Sequence, residues 1–374
     1  MKILFILDLY KPHIGWVEVL FENLINWLIE SWNQVIVLTS RFDSILSKYE
    51  KISENLEIFR EWNNRYDFMF FSLFKWVKLA RDCDIIHTTT YNAAIPAWII
   101  GKISWKKVVL TVHEIFWKLW YNFMWVKWFF FKLFESFIFK FSFDKYICVS
   151  NYTKNNLRIY SWVEDKKLVT IYNWIDYKIW DKNTVKQQEV DEIRQKYSLE
   201  NNYVWLFFGR SWISKWLRYY IEAIPEIAKN IPDFKAFIIV SKSKNNPANF
   251  ELELIKKLKL EKNIVWIDSV EYEEIKKYIL ASDFVIIPSL AEGFGFAAAE
   301  TCALWQNLIV TNIASLPEVV SDKINFIEPS NSQDIIEAVL KFKSWVFENI
   351  WGKRFEWEDN INRTLEIYRE VLEN

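Results

Sequence analysis

A chain of 374 residues and 45.3 kDa has room for two domains of ordinary size. Lys and Arg total 47 against 48 Asp and Glu, a net charge of −1, which excludes the basic excess of a nucleic-acid binder. Hydrophobic residues make up 52%, which excludes a disordered chain, and no charge-free apolar run reaches the ~18 residues of a membrane-spanning helix.

The chain opens on MKILFILDLY, an apolar stretch broken by Asp8 and followed by no small-residue cleavage site. It reads as a buried strand, not a secretory leader. Strands are predicted at 2–8, 34–40, 56–60, 84–89, 108–113 and 145–150, with helix-like spacing at 17–31, 68–81 and 126–142. The aromatic stretch 117–145 with its interspersed lysines reads as a helix packed on the first sheet, its outer face carrying lysine. Residues 176–200 are polar and charged and read as a linker. A second strand series, 203–208, 235–240, 263–267, 284–288 and 307–311, alternates with helices at 215–229, 248–259, 272–280 and 295–304, and a closing helix covers 355–372.

Buried-type strands alternating with helices build parallel sheets covered on both faces. The expected architecture is therefore α/β: two doubly wound domains, 1–175 and 201–350, joined by the linker 176–200 and facing one another across a cleft. Ligands of such sheets sit at the strand-to-helix loops. Cys83, Cys148 and Cys302 are scattered and lack metal spacing, so they read as core thiols of a reducing cytoplasm.

Three of those loops carry chemistry. After the strand ending at Pro288 come Glu292-Gly293-Phe294-Gly295 and a small-residue helix beginning at Phe296. Glycines at a helix start let backbone N–H groups approach an anion. Glu300 lies one to two turns into that helix, where a carboxylate can accept two hydrogen bonds from a vicinal diol. Without such a ligand, Glu292 is a capping acid and Glu300 a solvated helix residue. After 203–208 come Gly209-Arg210 and then Lys215 at a helix start, two cations placed to clamp a diphosphate; alone they are ordinary surface charges. Between the first strand and first helix stands Lys11-Pro12-His13-Ile14-Gly15-Trp16-Val17-Glu18, a weak nucleotide-type signal.

Composition holds one anomaly, 22 Trp against 6 Gly. Glycine ordinarily makes up about 7% of a chain, and here Trp and Gly together reach that share. Trp32, Trp105, Trp162 and Trp174 stand in turns or at helix ends, where glycine's left-handed conformation is wanted and an indole has no steric route. The expectation is that a codon ordinarily read as stop, written here as Trp, is decoded as Gly in the organism at many positions. Trp120 and Trp357 lie within aromatic helical patterns and read as true tryptophans.

In order and separation these motifs resemble glycosyltransferase family 4, the retaining nucleotide-sugar transferases of the GT-B fold. The resemblance covers nearly the whole chain. The family's Gly-Gly-x-Glu loop reads here Gly15-Trp16-Val17-Glu18, its Thr-x-His strand end Thr111-Val112-His113-Glu114, and its Asn-Gly turn Asn173-Trp174-Ile175-Asp176. Gly209-Arg210 with Lys215-Trp216, Pro288-Ser289 with Glu292-Gly293-Phe294-Gly295 and Glu300, and Ala303-Leu304-Trp305 complete the set. The Arg-to-Lys gap is one residue shorter than in some members. The other departures share one form, Trp for Gly at 16, 174, 216 and 305.

The resemblance implies roles residue by residue. Arg210 and Lys215 would neutralise the donor diphosphate as it leaves, so no metal or other cofactor is expected. Gly209, Gly293 and the backbone of Phe294, Gly295 and Phe296 would line the donor, with Glu300 on its ribose and Glu292 on its sugar. Gly15 and Trp16 would approach the diphosphate from the other domain, and His113 would contact the sugar near the reacting carbon. Residues 351–374 would cross back to the first domain. The partners implied are a nucleotide-sugar donor and a glycan, lipid-linked or small-molecule acceptor, with no nucleic acid and with peripheral contact at the cytoplasmic face of a membrane. A non-catalytic sugar-nucleotide-binding scaffold is the rival reading.

Overall fold

The computed structural model describes residues 1–13, 15–61, 73–121, 127–210, 213–241 and 249–373. Its first unit, Met1–Asn173 with Trp357–Asn374, runs β1 (Lys2–Ile6), α1 (Trp16–Glu30), β2 (Gln34–Ser40), β3 (Tyr49–Ser53), β4 (Leu56–Glu61), α2 (Leu73–Arg81), β5 (Ile85–Thr89), α3 (Ala94–Ser104) and β6 (Lys107–Val112). Next come α4 (Trp128–Ile138), β7 (Lys145–Cys148), α5 (Asn151–Tyr160) and β8 (Leu168–Thr170). The sheet order is β3-β4-β2-β1-β5-β6-β7-β8, parallel throughout except for the β3–β4 pair. β1 and β5 are buried along nearly their whole length, as strands covered on both faces must be.

The second unit, Trp174–Glu356, runs α6 (Gln187–Lys196), β9 (Tyr203–Arg210), α7 (Leu217–Asn230), β10 (Phe234–Ser241), α8 (Asn249–Lys257), β11 (Ile264–Ile267), α9 (Ile275–Leu280), β12 (Phe284–Ile287) and α10 (Phe296–Ala303). β13 (Leu308–Thr311), α11 (Leu316–Val319), β14 (Asp322–Ile327), α12 (Ser332–Lys343) and β15 (Glu348–Ile350) complete it. Its sheet order is β11-β10-β9-β12-β13-β14-β15, and β15 alone of the described strands runs antiparallel there. The chain then returns to the first unit as α13 (Trp357–Glu373). Ile361, Leu365, Tyr368 and Val371 of α13 repeat at helical spacing and share a core with Ile3, Phe5 and Ile85.

Residues 176–200, expected as a linker, are folded into the second unit. Arg194 of α6 donates to the carbonyls of Ala281 and Asn202 at 2.8 and 2.6 Å, and Glu189 pairs with Lys277 of α9 at 2.9 Å. α4 also differs from expectation. Its inner face buries Glu135 and Ile138, but the outer face is apolar rather than merely lysine-bearing: Phe129, Phe130, Leu133 and Phe137 are exposed.

Six of the eleven non-glycine residues with positive φ among those described are Trp: Trp32, Trp105, Trp117, Trp216, Trp305 and Trp345, at φ from 40 to 62°. A side chain there costs about 1 kcal/mol or more. Trp32, Trp105, Trp305 and Trp345 stand just past helix ends with indoles 67–93% exposed. Trp76, Trp180 and Trp205, by contrast, are buried. Trp174 and Trp162, expected in the same class as Trp32 and Trp105, do not have positive φ, so their backbones carry no such strain.

Candidate active site

In the second sheet the chain winds outward from β9 through β10 to β11, then restarts on the other side with β12. The carboxyl ends of β9 and β12 therefore flank a topological switch point, where doubly wound sheets bind ligands. Both motif loops of this unit leave from there. The backbone N–H of Leu290 donates to the carbonyl of Ser214 at 2.7 Å, tying one loop to the other. This brings the Lys215 ammonium onto Oε1 of Glu292, which also accepts from the Ser289 hydroxyl at 2.8 Å.

The turn carrying Glu292 is fixed from beneath. Ser315 donates to the carbonyls of Glu292 and Phe294 at 3.0 and 2.8 Å, and Thr311 donates to that of Ser289 at 2.5 Å. Gly295 then caps α10 at φ 97°, and a Cβ there would come within 2.9 Å of Leu316 Cδ2. Glycine is thus required on two counts, backbone hand and space. Phe294 is buried between the rings of Phe296 and Phe355, each with its centroid 5.1 Å away. Gly293 lies in the same turn, Gly209 and the backbone of Arg210 close β9, and the Arg210 side chain lies outside the described residues.

Glu300 is buried, not the solvated helix residue its position alone would suggest. Burial lifts its carboxyl to about 7, against the hydroxyl of Tyr272 and the charge of Lys215, which both favour ionisation. Tyr272 donates to Glu300 Oε1 at 2.6 Å. Trp216 stands between Lys215 and α7 as a left-handed cap, φ 46°, its indole stacked on Tyr219 with centroids 4.6 Å apart.

In the first unit the strand order reverses between β1 and β5, and the loops after β1, β5 and β6 issue from one end of the sheet. Gly15 caps α1 in an extended conformation, where a Cβ would fall 2.2 Å from Glu18 Oε2. His13 Nδ1 lies 3.2 Å from Glu18 Oε1 without hydrogen-bond geometry, and burial raises the Glu18 carboxyl. His113 is buried with neither ring nitrogen partnered. The Trp16 ring abuts it edge-on, centroids 4.8 Å apart, and burial pushes its imidazole down to about 3.

His87 has a different role. Its Nδ1 meets the Tyr368 hydroxyl at 2.5 Å and its Nε2 the Thr111 hydroxyl at 2.7 Å, so it pins α13 to β5 and β6. Glu135, which no motif marks, accepts from the backbone N–H groups of Phe116 and Trp117 at 3.0 and 2.7 Å and from the Tyr91 hydroxyl at 2.9 Å. It fixes the loop that follows His113. Tyr272, Ser315 and Glu135 were all missed in the sequence, because each acts through a contact between segments far apart in the chain.

Residues 15–178 match the family described as Glycosyltransferase Family 4, and residues 189–345 match Glycosyl transferases group 1. A subunit of phosphatidylinositol N-acetylglucosaminyltransferase from Saccharomyces cerevisiae is 22% identical over 97% of this chain and 82% of its own length. An O-antigen biosynthesis glycosyltransferase of Escherichia coli is 24% identical over 77% of this chain and 81% of its own. Among solved structures, a glycosyltransferase of Rickettsia africae superposes with a TM-score of 0.76 at 22% identity, covering 100% of this chain and 99% of that one. An Anabaena protein crystallised with UDP and glucose also reaches 0.76, at 18% identity and 99% and 100% coverage.

Proposed function

The chain is a glycosyltransferase of the GT-B fold, and on that premise we propose that its second unit binds a nucleotide-diphosphate sugar. The sugar passes, with retention at the anomeric carbon, to a glycan, lipid-linked or small-molecule acceptor of cell-envelope polysaccharide or glycolipid synthesis. The observation that carries this reading is the convergence at one switch point of Lys215, Glu292, the Gly295 cap of α10 and buried Glu300. The Anabaena structure with UDP and glucose supports a donor of this class.

In this reading Lys215 and Arg210 stabilise the charge that develops on the departing diphosphate, without a metal. The N-terminus of α10 adds its dipole. Lys215 pairs with Glu292, so in this reading a donor exchanges that carboxylate for phosphate oxygens and frees Glu292 for sugar hydroxyls. Glu300 takes the ribose diol. His113, with two bare nitrogens held neutral by burial, is suited to a neutral contact with the reacting sugar rather than to proton transfer.

Donor-dependent release of nucleoside diphosphate tests the assignment. Lys215→Ala and Glu300→Ala are each expected to lower it by about 10²-fold or more; wild-type rates in both would overturn it.

Two further parts of the reading concern the whole chain. The left-handed Trp positions are glycine in the organism, and the supporting observation is their backbone hand together with the exposed indoles of Trp32, Trp105, Trp305 and Trp345. Glycine at position 16 would also uncover the His113 ring, which Trp16 now abuts. The protein works at the cytoplasmic face of a membrane, supported by the exposed phenylalanines of α4 beside Lys127, Lys132 and Lys140.

A further inference from the structure

Glu300 is held by a chain of two more residues. The Tyr272 hydroxyl donates to Glu300 Oε1 at 2.6 Å, and Trp180 Nε1 donates to the Tyr272 hydroxyl oxygen at 3.1 Å. The two rings meet edge to face, centroids 5.3 Å apart at 77°. Trp180 is 1% exposed and precedes α6, Tyr272 follows β11, and Glu300 lies within α10, so three separate segments supply the series.

Its direction is forced by chemistry. An indole N–H donates and cannot accept. The Tyr272 oxygen therefore accepts from Trp180, and its single hydrogen is committed to Glu300. Among the described residues no other side-chain donor meets the Glu300 carboxylate. Oε1 is thereby taken, and Oε2 is left for a ligand.

We infer that Tyr272 and Trp180 are positioning residues that hold Glu300 by Oε1 and present Oε2 to the vicinal hydroxyls of the donor's ribose. The inference rests on the proposed function, in which Glu300 meets that ribose. Discrimination between ribose and deoxyribose then belongs to three residues, only one of which touches the nucleotide. Losing the Tyr272 hydroxyl leaves its ring in place while the carboxylate turns freely and meets the diol less well.

Calorimetric titration with UDP, GDP and ADP identifies the tightest nucleotide, which is then compared with its 2′-deoxy form. Wild type is expected to favour the ribonucleotide by about tenfold, the worth of a hydrogen bond to a charged group. Tyr272→Phe should cut that ratio to about threefold while leaving affinity for the deoxynucleotide near wild type, with a lowered thermal midpoint because the Trp180 N–H and Glu300 Oε1 lose their partner. Trp180→Phe should lower the ratio by a smaller factor, and it decides the matter if Tyr272→Phe does not fold.

A wild-type ratio in both variants overturns the inference, as does equal weakening of both nucleotides, the mark of a purely structural role. Glu300→Ala separates this from the underlying reading. If it abolishes the ratio while the two relay variants do not, only the relay falls; if it preserves the ratio, or if none of the three nucleotides binds wild type, the ribose assignment falls as well. The tryptic peptide Ile179–Lys182 of the protein from its own organism must carry tryptophan at 180; glycine there would remove the relay.

Discussion

Glu300 sets a pH dependence whose sign follows from its surroundings. Burial lifts the carboxyl from 4.5 to about 7, so the folded protein keeps a proton that the unfolded chain has already lost. That group's contribution to stability is full below about 4.5 and is lost as pH rises through about 7. Binding moves the other way, because a diol donates to the ionised carboxylate. Nucleotide affinity measured by calorimetry should rise between about pH 6 and 8, by no more than about tenfold per unit for one proton, and should be flat in Glu300→Gln. His113, held near 3, adds no inflection in that window. The candidate residues themselves were legible from motif spacing. Glu300's burial and the Lys215–Glu292 pair were not, because both depend on which strand lies beside which.

The loops that carry the site are short and are fixed from below. Ser315, at the start of α11, holds two carbonyls of the 292–294 turn, so Ser315→Ala should cost about 1–2 kcal/mol and weaken nucleotide binding while α10 stays folded. Thermal denaturation beside titration separates the two effects, and unchanged binding would show that the turn holds its own shape. α4 is the opposite kind of element, with one face left uncovered. From Lys127 to Phe143 the single acidic residue is Glu135, and it is buried inward. The outer face thus offers chiefly aromatic, leucyl and ammonium groups and no carboxylate, the pattern of a helix lying in an anionic interface. Co-sedimentation with phosphatidylglycerol vesicles should retain wild type at low salt and lose most of it in Phe130→Ser/Leu133→Ser. No retention of wild type would remove the membrane reading. Hydrophobic spacing in this region identified a helix but not its bare side, since apolar residues on every face give no sign of which face the sheet takes.

At the scale of the whole molecule the fold was the most legible property. Long buried strands such as β1 and β9 advertise a parallel sheet by their unbroken apolar runs. Short or edge elements, β3, β14 and β15, escaped because three to six residues of mixed polarity carry no period. The Trp anomaly is likewise a property of the entire chain, and its test is chain-wide. Peptide mass spectrometry of the protein from its organism should find glycine mass at position 345 in Ser344–Lys353 and at 174 in Leu168–Lys178; tryptophan mass at 345 would sink the recoding.

The return of α13 to the first unit bears on how the protein is made. Residues 174–356 form a continuous stretch, whereas the sheet that holds β1 lacks Ile361, Leu365 and Tyr368 until α13 leaves the ribosome. At common synthesis rates that interval is roughly 10–40 s. Throughout it, the face of β1 and β5 that α13 will cover stays open to chaperones and to other nascent chains. The unit that holds β1 is begun before the unit of residues 174–356 and completed after it.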